Sequence, residues 1–189
     1  VLSMLKAYGY PGMVTAGPML LGVLFLLSIN YIGKMAGLEK ADQDLLVCMI
    51  TYCLLGSMML NSIFSMVMTR YVADLLYEEK EKDVLPSLEG ILGIMMPLGG
   101  VFWIVFLCFS GIDMMLCVLN FILFMELIVA WTQMNYLTAV KDYKGILLSY
   151  VYAIIISVLT SLFGCAYLGV SLYVLMLSVS VGYGVMIVY

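Results

Sequence analysis

Six runs of about 20 apolar residues, each long enough to cross a bilayer as a helix, leave this chain few ways to fold. Strands of a membrane barrel would need only about ten residues of alternating character. The runs do not alternate, so they read as helices. With 65% hydrophobic residues, 11% charged residues and a mean hydropathy of +1.15, the chain lacks the roughly one-quarter charged content of a soluble domain. The fold class expected is an all-α integral membrane protein, a six-transmembrane-helix bundle with spans at residues 13–32, 45–69, 91–110, 114–138, 146–168 and 170–189. No cleavable leader is legible, because the first run is long enough to span and lacks a small-residue cleavage site. The chain starts at Val1 and stops at Tyr189 inside an apolar run, which reads as a fragment cut at both ends of a longer protein.

Charge is concentrated in one stretch. Residues 68–89 hold nine of the twenty charged side chains, from Arg70 and Asp74 through Glu78, Glu79, Lys80, Glu81, Lys82 and Asp83 to Glu89, so this segment must sit at or outside a membrane surface. Tyr71, Val72, Leu75 and Leu76 recur at helical spacing away from Asp74, Glu78 and Glu79. Residues 70–77 are therefore expected to lie flat at the interface, with Arg70, Tyr71 and Asp74 as an anchor. Asp83 is placed as the N-cap of the next helix, with Pro86 in its first turn. Lys6, Arg70, Lys80, Lys82, Lys141 and Lys144 collect on one side of the membrane and Lys34 and Lys40 on the other. Basic residues in short loops set orientation, so the N-terminus and residues 70–89 are expected in the cytoplasm. Pro18, and Pro97 with Gly99 and Gly100, mark expected bends and candidate gating positions. Residues 111–113 are too few for anything but a tight turn, so spans three and four form an antiparallel hairpin.

Glu126 lies at the centre of span four, where an ionisable side chain costs a few kcal/mol unless it faces protein, water or a partner. Gln133 is seven residues on and projects from the same helix face, with Asn120, Thr132 and Asn135 nearby. Two readings stand: a substrate or ion pathway, or a protonated carboxyl that only binds a neighbouring helix. Span two carries Ser57, Asn61, Ser65 and Thr69 at four-residue intervals. The stripe either lines a wet cavity or hydrogen-bonds between helices, an interaction averaging about 0.6 kcal/mol in membranes. Ser149, Ala153, Ser157 and Ser161 in span five read as a close-packing face. Trp103 and Trp131 lie too deep for an interfacial belt, and the seventeen methionines read as adaptable packing. The five cysteines fall inside apolar runs without a CxxC pair and read as buried thiols. The chain has no histidine, no phosphate-binding glycine loop and no GxSxG elbow, so no enzyme, cofactor or metal site is expected. No basic patch points to nucleic acid.

Three stretches carry a family likeness: Lys6-Ala7-Tyr8-Gly9-Tyr10, Thr15-Ala16-Gly17-Pro18, and above all Thr69-Arg70-Tyr71-Val72-Ala73-Asp74-Leu75-Leu76-Tyr77. In order and spacing up to about Pro86 they resemble the Pel exopolysaccharide inner-membrane transporter (PelG) family, within the multidrug/oligosaccharidyl-lipid/polysaccharide flippase superfamily. The resemblance implies a transporter of about twelve to fourteen helices in two six-helix bundles that alternate access across a central cavity, this chain being the N-terminal bundle. It implies a bacterial cytoplasmic membrane, lipid surroundings, and a polysaccharide or lipid-linked precursor as substrate. A cytoplasmic glycosyltransferase and further membrane subunits of a synthase complex are the implied partners. Glu126, Gln133, Ser57, Asn61 and Ser65 then become candidates for the cavity wall, where an acidic group would suit a positively charged amino-sugar polymer. The cluster from Glu78 to Asp83 either docks the glycosyltransferase or is a solvated turn. Two other functions remain open: a scaffold that anchors a synthase complex without transporting, and a homodimeric six-helix carrier or channel.

Overall fold

The computed structural model describes residues 22–140 and 143–188. It is helical throughout apart from short connections: α1 (Gly22–Ala36), α2 (Lys40–Tyr77), α3 (Val84–Cys108), α4 (Met114–Val140), α5 (Tyr143–Tyr167) and α6 (Leu172–Val188), with one 3-10 turn at Glu81–Asp83. α2, α3, α4 and α5 are long and apolar enough to cross a membrane, and two shorter apolar helices, α1 and α6, make up the six. Pro18 and the two N-terminal stretches that carry the family likeness lie outside the described residues.

α4 is the axis of the bundle. Half of its membrane-length window is buried, against 22% for α3, because α2, α3 and α6 all pack on it. α3 joins it through the expected hairpin, turned at Gly111 with a φ of 68°. Asp113 starts α4: its carboxylate accepts the Met115 N–H at 3.3 Å and its carbonyl the Cys117 N–H at 2.9 Å. Close approach of α3 to α4 depends on Gly99, where a Cβ would sit 2.6 Å from Ile128 Cδ1 and 2.7 Å from Leu60 Cδ2. Trp103 fills the gap beyond, stacked on Phe124 with ring centroids 4.1 Å apart. α5 lies on α6 through Ser149, Ala153, Ser157 and Ser161, all buried; a Cβ on the facing Gly182 would meet Ser157 Cβ at 2.8 Å. This is the close-packing face expected for span five. The outer faces of α2, α3 and α5 carry large exposed apolar side chains such as Met59, Ile63, Val101, Phe102, Ile155 and Leu162, as a lipid-facing surface requires.

Several boundaries differ from the sequence expectation, each for a physical reason. The polar connection after span one shrinks to residues 37–39, because Lys40, Asp42 and Asp44 form the first turns of α2. Residues 70–77 are not a separate surface helix but the last two turns of α2. Val72 and Leu75 are buried in the core there, so the apolar side faces protein. At 38 residues, α2 is about 57 Å long against a hydrocarbon core of about 30 Å. Both charged ends therefore lie beyond the core.

Lys80 N–H bonds Leu75 O at 3.0 Å and Glu79 N–H bonds Leu76 O at 3.3 Å, with Glu79 at φ 57°. This is the glycine-type helix stop, with glutamate in the left-handed position. α3 starts at Val84, where the Asp83 signal places it and seven residues before the membrane span expected at 91–110. Asp83 precedes it but makes no side-chain cap bond, because its φ of −90° and ψ of −5° are already helical whereas a capping residue needs extended backbone. α3 continues as helix through Pro97. The cysteines are free, but only Cys53 is buried; Cys48 and Cys108 lie on the outside of the bundle, where hydrocarbon rather than core surrounds them.

Candidate functional site

At about 100° per residue, Asn120, Trp131 and Asn135 fall on one side of α4 and Glu126 and Gln133 on the other. The first side is fully engaged. Asn120 Oδ1 accepts the indole N–H of Trp103 at 2.8 Å and the Cys53 thiol at 3.2 Å, while its amide donates to the Met49 carbonyl at 3.5 Å. Trp131 donates its indole N–H to Ser57 Oγ at 2.9 Å, and Asn135 donates to Asn61 Oδ1 at 3.0 Å. Toward the charged end, Ser87 Oγ and Tyr136 OH lie 3.1 Å apart. These contacts clamp α4 to α2 and α3.

The second side is different. Val118, Ile122, Leu137 and Val140 are exposed along α4, and no other helix among the described residues covers that strip. Glu126 and Gln133 are half-buried at its edge beside α6. Gln133 donates to the Ile187 carbonyl at 3.2 Å. It also lines a cleft of about 310 Å³ at the charged end with Tyr136, Leu137, Ser149 and Met186.

Glu126 faces α6 where residue 184 is glycine; even a methyl group there would sit 3.6 Å from Oε1. Its buried Oε2 and the Ser180 hydroxyl each lack a well-formed hydrogen bond among the described residues, although Ser180 lies close enough to the carboxyl to interact with it. Among the described residues, no lysine or arginine approaches this carboxyl.

The structure thus brings Glu126 and Gln133 together and places Ser57 and Asn61 across α4 from them. Ser65 is half-buried, with its hydroxyl turned onto the Ser62 carbonyl of its own helix at 3.2 Å. Arg70, Tyr71 and Asp74 are exposed near the end of α2, and Pro97 is exposed on α3. At the turn after α2, Lys80 pairs with Glu78 at 2.7 Å. The hydrogen bond and charge of Glu78 hold the Lys80 ammonium above its ordinary range, and such an exposed pair adds little stability.

The indole contacts of Trp103 and Trp131 and the role of Asn120 were not read from the sequence. The available signal was two deep tryptophans whose N–H groups each require an acceptor.

No curated protein and no solved structure matches this chain. The family model described as "PelG: Putative exopolysaccharide Exporter (EPS-E)" matches residues 1–189, the whole chain. A six-helix apolar bundle with one carboxyl on an open strip of its central helix thus belongs to the PelG family of exopolysaccharide exporters.

Proposed function

We propose that this chain is the N-terminal half of an exporter that moves an exopolysaccharide, or its lipid-linked precursor, across the cytoplasmic membrane by alternating access. The strip of α4 bearing Glu126 and Gln133 would face the route. One observation carries the reading: the only acidic or basic side chain remote from both ends of every span lies at the edge of the strip of α4 that no helix among the described residues covers. Against lipid, that placement would cost a few kcal/mol; against a wet cavity closed by a second bundle it costs little. A carboxylate and an amide on one wall are groups that bind hydroxyls and cationic amino sugars. Ser57 and Asn61 serve in this reading to hold α2 on α4, and Ser65 remains at the margin of the wall. Pro97 and Pro18 are the proposed hinge positions. Six of eight basic residues at one end favour that end as cytoplasmic, with Arg70, Tyr71 and Asp74 at the headgroups and the turn after Tyr77 available to a glycosyltransferase.

The test is secretion by the full-length protein carrying Glu126→Gln. Secreted polymer should fall by about tenfold or more while the amount of protein in the membrane stays unchanged. Secretion at the parent level would overturn the route assignment and favour the scaffold.

A further inference from the structure

Four buried polar atoms among the described residues have no hydrogen-bond partner: Glu126 Oε2, Ser157 Oγ, Ser180 Oγ and Tyr183 OH. All belong to the packing of α6 with its neighbours, whereas Asn120, Trp131, Asn135 and Tyr136 are all bonded on the α2 and α3 side of α4. Native interiors leave few such groups unpaired, and each one asks for a reason. Their concentration around α6 singles out this contact among those of the bundle.

The carboxyl identifies what controls this contact. Ionised, Glu126 would be an unpaired charge in an apolar seam. Among the described residues, the titratable groups buried beside this part of α4 are Tyr183 on α6, Tyr150 on α5 and Cys53 on α2, whereas the cations of the neighbouring helices, Lys40, Arg70 and Lys144, lie at their ends. α3 meets this part of α4 through Gly99 and Gly100, and Phe25 of α1 packs on Gly182 and Tyr183 of α6. Protonated, the carboxyl has an O–H to donate, and Ser180 Oγ can accept it while donating to its own helix. A metal ion would need six or so oxygens, more than the carboxyl and one hydroxyl supply.

We infer that Glu126 is a proton-binding site that controls the seating of α6 on α4. With the proton on the carboxyl and shared with Ser180 Oγ, α6 lies as observed. When the proton leaves to water along the open strip of α4, the carboxylate draws water into the seam and α6 withdraws, while α2, α3 and α4 remain a fixed frame. One proton is transferred to solvent and no other bond changes. The seated form holds more protons than the withdrawn form, so seating is favoured at low pH and lost as pH rises. This inference rests on the route assignment for Glu126.

The test uses the full-length protein in lipid vesicles with Val185→Cys, a position beside Gly184. The cysteine is alkylated by a charged maleimide, and adducts are counted on the peptide carrying residue 185. Rates are taken in the parent and in Glu126→Gln, and their ratio cancels the pH dependence of the thiol itself. The ratio should be near one at about pH 5 and about tenfold higher at about pH 9. Ser180→Ala, which changes no charge, should keep the rise and move it to lower pH. A ratio that stays at one in both the parent and Ser180→Ala overturns the inference. Secretion separates the two proposals. A flat ratio with export still blocked by Glu126→Gln removes the proton switch and leaves the route; a rising ratio with full export in Glu126→Gln does the reverse.

Discussion

Asn120 and Glu126 sit less than two turns apart on α4 and have opposite fates. Asn120 binds partners from α2 and α3, whereas the buried oxygen of Glu126 has none. Replacing Asn120 with alanine strands the Trp103 indole N–H and should cost about 2 kcal/mol, visible as a lowered unfolding midpoint in detergent with Glu126 untouched. Depth along span four was enough to single out Glu126 in the sequence. The sequence reading sets Asn120 and Asn135 beside it, although the helical period alone puts them and Trp131 on the other side of α4. Which of the two sides would meet α2 was not legible, since that depends on how the helices are arranged. The tryptophan contacts were hidden for a related reason: Trp131 and Ser57 are 74 residues apart, and nothing local to either announces the pairing.

Among the helices, ends were less legible than spans. Hydropathy located the six helices because a stretch without charges must lie in hydrocarbon. It omits the first turns of α3, which the Asp83 signal marks instead, and detaches the end of α2, because Val84 to Glu89 and Arg70 to Tyr77 are helical for the sake of packing rather than burial in lipid. The stop of α2 offers a direct check. α1 ends with the same pair of backbone bonds, but with Gly37 in the left-handed position at φ 83° where α2 has Glu79. Glu79→Gly should stabilise the protein by about 0.5–1 kcal/mol, since a side chain in that conformation costs about 1–2 kcal/mol and glycine's greater unfolded freedom takes part of it back. A chemical unfolding curve measures the change. Gly99→Ala should do the opposite. Its methyl group enters the space of Ile128 and Leu60, so α3 must move off α4 at a cost of about 1–3 kcal/mol, read in the same assay.

At the scale of the whole molecule, the described helices close around α4 except on one strip, and Glu126 and Gln133 lie at its edge. Lipid and a wet route make opposite demands on such a surface. α3 supplies the comparison within the same protein, because its outer face beyond Gly93 shows only apolar side chains such as Val101, Phe102 and Val105. The most direct measurement is a cysteine-accessibility scan of the full-length protein in vesicles. It would compare Ile122, Val129 and Leu137 on α4 with Val101, Phe102 and Val105 on α3, using a charged thiol reagent that cannot enter hydrocarbon. If the strip lines the export route, the three α4 positions label and the three α3 positions do not. If the α4 positions are as unreactive as those of α3, the strip faces lipid and Glu126 has no place in the route.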